Sequence, residues 1–142
     1  RMSSELIVDE LTGRASAGSI AVTAEGGTNT TNLQQGLCKV WVNFTGVTTT
    51  AARDSFNVAS FTDVGTGKTN VVYTSAMANN DYSGAYFQSG SAGTGAYDLD
   101  NTYSGAFGIN EHRTTALIKV GAYASDLIDA QQNDVLVFGD LA

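Results

Sequence analysis

The sequence predicts an all-β chain: an antiparallel β-sandwich or jelly-roll-like head preceded by an extended N-terminal segment. Three observations lead there. From Gly36 onward, strand-like stretches recur with glycine, asparagine or aspartate between them, the rhythm of sandwiches and jelly rolls. The 142 residues include 16 glycines and no proline, which fits glycine-mediated turns between many strands and not proline-rich linkers. Frequent threonines and glycines weaken helix throughout, and few windows show a 3.6-residue period. The length allows one domain to bury a core without help from a disulfide or metal.

Residues 1–35 read as a stalk or assembly segment and residues 36–142 as the head. In the first segment the apolar residues come in small clusters, Leu6, Ile7 and Val8, then Ile20 and Val22, separated by polar, glycine-containing stretches. Nothing there closes a core alone. "SIAVTAE" alternates well enough for a short strand, while "GGTNTTNLQQG" reads as a loop or flexible neck. Such a segment stays disordered or packs against something else, copies of itself included.

"GLCKVWVNFTG" (36–46) opens the head as a strand, with Cys38, Val40, Val42 and Phe44 on an apolar face and Lys39, Trp41, Asn43 and Thr45 on the other. The sole tryptophan therefore falls on the wetter side. Covering so large a side chain is worth several kcal/mol. The expectation is that Trp41, together with Leu6, Ile7, Val8, Ile20 and Val22, meets sister copies whose β domains cluster around an axis. Next, "DSFNVASFTDV" (54–64) and "TNVVYTSAM" (69–77) flank a turn at Gly65 to Lys68 and predict a hairpin. "DYSGAYFQSG" (81–90) is a further strand. "HRTTALIKVGAYAS" (112–125) sets Thr114, Ala116, Ile118, Val120 and Ala122 against Arg113, Thr115, Leu117, Lys119 and Tyr123 on the opposite face. "DLIDAQQ" (126–132) reads as one helical turn, and "NDVLVFGD" (133–140) as a closing strand with both faces apolar.

The net charge is −7, concentrated in the second half. No cluster of lysine and arginine offers itself to a phosphate backbone, so nucleic acid is not an expected partner. Cys38, the only cysteine, cannot form an intrachain disulfide and reads as a small buried apolar residue. The opening "RMSSELIVDELTG" lacks a basic region followed by a long apolar run, and no stretch reaches the ~18 apolar residues of a membrane span. Neither a signal peptide nor membrane insertion is expected. Met2 reads as the natural start, with Arg1 an addition, and the N-x-Thr sites at Asn29 and Asn43 then have no reason to carry glycans.

Motifs that carry chemistry are weak. "GTGKT" (65–69) suggests a phosphate loop, but that loop needs a glycine where Thr62 stands and a helix where a strand follows. "DLDNTYSG" (98–105) opens like a calcium loop, yet its glycine comes late, at Gly105, and Ile109 stands where a carboxylate would close it. A solvated turn is the favoured reading. His112, the only histidine, has no evident nucleophile or paired carboxylate, and no Gly-x-Ser-x-Gly elbow is present. Asp98 with Asp100 and Asp126 with Asp129 are local neighbours on turns, which defines no glycosidase pair. No catalytic residue, metal ligand or cofactor is expected. Residues 78–110 are more informative, holding four of the six tyrosines and neither lysine nor arginine. Tyrosine among small polar residues makes adaptable contact loops. Tyr82 and Tyr86 read as ordinary strand residues; Tyr97, Asp98, Asp100 and Tyr103 are the candidate receptor-binding residues.

"GLCKVWVNFTG" followed by "ARDSFNVASFTDVGTGKTNVVYTSAM" resembles the pattern of marine bacteriophage tail-fibre proteins, a K-x-W-V-N-F strand ahead of an sFNVss-TD-GtG hairpin. The ending "NDVLVFGD" and the leader "ELIVDELTGRASAGSIAVTAEGG" are similar to the closing strand and fibre-like start of that family. The resemblance is specific over 36–77 and loose over 78–132. It implies that Lys39, Trp41, Val42, Asn43, Phe44, Ser55, Phe56, Asn57, Val58, Asp63, Gly65, Gly67 and Met77 are framework residues. It also implies a homotrimeric virion fibre without a cofactor, assembled in the host bacterial cytoplasm with other virion proteins. The variable 78–132 region would meet a host cell-surface glycan or protein. The alternative is a purely structural virion component, such as a capsid-surface fibre, tail adaptor or connector, that binds no receptor.

Overall fold

The computed structural model describes residues 6–14, 20–25, 27–91, 113–121 and 128–142. The chain divides into two compact units, Arg1–Leu37 and Cys38–Ala142.

In the first unit, β1 (Ala21–Thr23) pairs antiparallel with β2 (Thr30–Asn32), placing Val22 opposite Thr31. Leu33–Gly36 then forms a single helical turn, α1, capped by the Asn32 side chain, which accepts from the Gln35 amide at 3.1 Å. The stretch expected as a loop or neck thus carries a strand and a capped turn. Two threonines supply the β-branched strand, and an asparagine at the cap satisfies an orphan amide. Every residue of the two strands except Asn32 is exposed. A two-stranded hairpin with no buried face is marginally stable at best in water.

Among its described residues the second unit is all β. Its strands are β3 (Cys38–Thr45), β4 (Ala51–Phe56), β5 (Val58–Gly65), β6 (Lys68–Tyr73), β7 (Ser83–Ser91), β8 (Leu117–Gly121) and β9 (Ala130–Phe138). They form a four-stranded sheet in the order β4-β3-β9-β7 and a three-stranded sheet in the order β5-β6-β8, with every pairing antiparallel. One core joins the two sheets. Val40, Val42, Phe44, Val135 and Val137 come from the first, and Val71, Tyr73 and Val120 from the second. The Phe44 and Phe61 rings meet across the gap with centroids 5.0 Å apart. The alternation read in 36–46 places its apolar face correctly, since Val40, Val42 and Phe44 are all buried.

The stretch 54–64 is not one strand. Asn57 adopts a left-handed φ of 59°, and there the chain leaves the four-stranded sheet and enters the three-stranded one. Asparagine tolerates this conformation better than most residues. Its amide nitrogen donates to the carbonyls of Lys39 and Ser75, each at 3.1 Å, and its oxygen accepts from the Ser75 amide at 2.7 Å. The expected hairpin is present beyond that corner, with Gly65 opposite Lys68. Gly65 and Gly67 both take positive φ values, 128° and 69°, which is why the turn uses glycine. The Gly65 amide donates to Asp63 and the Gly67 amide to Asp129, each at 2.8 Å. The turn is stabilised within the chain, as the hairpin reading of "GTGKT" requires.

Two other expectations are corrected within the described residues, 113–121 and 128–132. Thr114 and Ala116 are exposed and belong to a turn, closed by the Thr114 amide donating to the Leu117 carbonyl at 2.9 Å. Among the described residues of that stretch Leu117–Gly121 is strand, with Val120 buried, and residues 112 and 122–125 lie outside the described residues. Ala130–Gln132 open β9 and form no helical turn. Ala130 is buried, and Asn133 follows it inward because its amide nitrogen reaches the carbonyls of Ala130 (3.1 Å) and Phe44 (3.4 Å). A buried amide with its hydrogen bonds made is compatible with a core strand.

A phenol cluster ties the 113–117 turn to the core. The Tyr73 hydroxyl donates to that of Tyr82 at 3.1 Å, and the Tyr82 hydroxyl donates towards the carbonyls of Leu117 (2.9 Å) and Thr114 (3.1 Å). Arg113 lies over the Tyr82 ring, 5.7 Å from its centroid, and donates to the Tyr82 carbonyl.

Candidate functional site

Strand alternation that sends valines inward sends a second set of side chains to the outer face of the four-stranded sheet. Register decides which of them meet. Trp41 on β3 lies opposite Phe56 on β4 and Leu136 on β9, and Leu136 lies opposite Ala85 on β7. Phe56, Trp41, Leu136 and Ala85 therefore form one apolar row across all four strands. Phe56 remains 51% exposed, Trp41 37% and Phe138, two residues beyond Leu136, 36%. The indole faces outward because it belongs to this row, and about two thirds of it is shielded within its own chain.

The next row, two residues along each strand, is polar: Asp54, Asn43 and Asp134, with exposed Phe87 at the end. The Asn43 amide nitrogen donates to Asp134 Oδ1 at 2.5 Å, and the Gln132 amide nitrogen to Asp134 Oδ2 at 3.0 Å. A bulge between Asn43 and Phe44 makes Arg53 the extra residue of β4. Its guanidinium crosses β3, donating to Asn43 Oδ1 (3.2 Å), the Phe44 carbonyl (3.5 Å) and the Gln131 carbonyl (2.5 Å). Asp54 accepts from the Ser55 amide at 2.8 Å. The polar groups are thus held in place by one another.

Lys39, expected on the wetter side, is buried. A second bulge, between Cys38 and Val40 in the pairing with β9, takes it out of simple alternation. Cys38 is half-buried, and its thiol donates to the carbonyls of Val40 (3.0 Å) and Val137 (3.4 Å). Tyr82 and Tyr86 are strand-associated packing residues. The Tyr86 hydroxyl donates to Asn133 Oδ1 at 2.5 Å. Burial holds the phenols of Tyr73, Tyr82 and Tyr86 above the usual range, with hydrogen bonding from Tyr82 adding for Tyr73 and the Asp134 carboxylate adding for Tyr86.

Tyr97, Asp98, Asp100 and Tyr103, and likewise His112, lie outside the described residues. In the first unit Leu6 and Ile7 are 78% and 82% exposed, Val8, Leu11 and Val22 are exposed as well, and Ile20 is half-buried with its carbonyl accepting from the Leu33 amide at 2.8 Å. Among the described residues no group of three or more His, Cys, Asp or Glu is gathered as metal ligands, and no helix is long and apolar enough to cross a membrane. The sequence signalled Trp41 but not its partners Phe56, Leu136, Phe138, Arg53 and Asp134, because strand register alone brings them to one face. No protein-family model, curated protein or solved structure matches the chain.

Proposed function

We propose that this chain is a bacteriophage virion fibre protein that assembles as a homotrimer and attaches to the host cell surface. A jelly-roll-like closure of the head belongs to the same reading. One observation carries it: the leader and the β1–β2 hairpin present Leu6, Ile7, Val8, Leu11 and Val22 to solvent, and none of the described residues of that unit is buried. Such a segment gains stability only when something covers it. Identical copies supply matching surfaces by symmetry, with Ile20 beside the hairpin they share. The resemblance of residues 36–77 to marine phage tail fibres supports the choice of three copies and of a virion setting. Three heads on one stalk raise avidity even where each contact is weak.

Light scattering on the full chain tests the assembly, with a three-chain mass expected across a wide concentration range. A constant single-chain mass overturns it. Capture of whole host-range bacteria by the purified protein tests attachment. A trimer that captures no cells identifies the purely structural virion component instead.

A further inference from the structure

We propose that the outer face of the four-stranded sheet is a saccharide-binding surface. Trp41 and Phe56 form its stacking platform, and Asn43, Gln132 and Asp134 are its hydroxyl partners. The inference rests on the attachment reading and gives the ligand a chemical class and a place. It moves Trp41 from the copy-to-copy contact expected from sequence to the contact with the ligand.

Area is the first reason. Aromatic side chains offer about 150–250 Å² each, so the exposed fractions of Phe56, Trp41 and Phe138 leave about 250 Å² of apolar surface. A stable protein interface needs roughly 800 Å² from each partner. The row alone falls well short of that and suits two or three sugar rings; a sister copy would have to take most of its contact from the polar surface around it.

Geometry is the second. The apolar row and the polar row are two residues apart on each strand, hence about 7 Å, so a ring stacked on the indole or on Phe56 brings its edge hydroxyls to the polar row. Asp134 uses one acceptor site on each oxygen to fix the Asn43 and Gln132 amides. Each carboxylate oxygen and each amide keeps further capacity. Vicinal hydroxyls, which both donate and accept, match such a pre-organised mixture. An apolar protein surface laid over the same face would desolvate Asp54 and Asp134 without repaying them.

Charge is the third. Two carboxylates, Asp54 and Asp134, stand against one guanidinium, and Arg53 directs three of its five N–H donors to Asn43 and two carbonyls. The chain as a whole carries −7. Like charge disfavours an acidic polymer here, which leaves neutral sugars.

Because Trp41 is the only tryptophan, its emission reports on this face directly. The full chain is titrated with maltohexaose, cellohexaose and mannohexaose, with polygalacturonate as the acidic control. The expected result is a saturable emission change with at least one neutral hexamer, half-saturating at about 1 mM, and none with the control. Asn43→Ala and Phe56→Ala are each expected to weaken it about tenfold with oligomer mass unchanged; Asn43→Ala also lowers the melting temperature, because its hydrogen bonds to Asp134 and Arg53 are lost. Phe56 is the more secure variant, being half exposed. No saturable change with any neutral hexamer up to about 10 mM overturns the proposal, and continued capture of cells by the same preparation leaves the attachment reading standing. A fall in oligomer mass in Phe56→Ala also overturns it, assigning the face to a sister copy. A saturable sugar response from a chain that captures no cells supports the surface and refutes attachment.

Discussion

Replacing Asn57 tests how the chain passes from one sheet to the other. Three side-chain hydrogen bonds, to the Lys39 carbonyl and to both backbone groups of Ser75, are lost in Asn57→Ala, at about 1 kcal/mol each. Alanine at a φ of 59° adds about 1 kcal/mol of left-handed strain. The expected loss is about 4 kcal/mol, a large share of the 5–15 kcal/mol that typically separates folded from unfolded domains. Asn57→Gly loses the same bonds but not the backbone preference, so it is expected to be about 1 kcal/mol more stable than the alanine variant. Urea unfolding followed by Trp41 emission, at one fixed protein concentration, measures both. A loss below about 1 kcal/mol in Asn57→Ala, or a glycine variant less stable than the alanine one, refutes the account of this corner.

Three further outcomes are expected. Tyr73, Tyr82 and Tyr86 have phenols raised above their ordinary value by burial, so their contribution is intact below about pH 10 and is lost as pH rises above it, by up to about 1.4 kcal/mol per pH unit for each. Tyrosinate absorbance from these three should therefore emerge together with the unfolding change in Trp41 emission, and gradual titration in a still-folded head contradicts the burial argument. In Gly139→Ala the new Cβ would sit 2.7 Å from Tyr82 Cβ and 2.9 Å from Met77 Cε, which should cost about 1–3 kcal/mol by overpacking; an unchanged melting temperature refutes that packing. Replacing Leu6, Ile7 and Val8 together by serine is expected to lower the assembled mass in light scattering while leaving the near-ultraviolet dichroism of the head unchanged, and an undiminished mass removes the leader from the interface.

Alternation made β3 legible because Val40, Val42 and Phe44 repeat every second residue, and glycine chemistry made the β5–β6 turn legible. The Asn57 corner was hidden by the same alternation, since "SFNVASF" continues its pattern through a residue whose backbone has already turned. β9 was read short because Ala130, Gln131 and Gln132 fall within the helical turn expected over 126–132, and only the partners of the Asn133 amide explain its burial. The outer face was half legible. Alternation put Trp41 there, but two bulges and the pairing of β3 with β9, almost a hundred residues apart in sequence, decide what stands beside it.

The Tyr82 clamp has a consequence for how this head can change over generations. Ser91 pairs opposite Ala130, and Arg113 and the turn after it are fastened to Tyr82, so one side chain ties the start of β7 to the start of β8. Sequence drift at the exposed positions of β7 should therefore be tolerated more readily than any change at Tyr82 itself, which holds the start of that strand to the turn before β8.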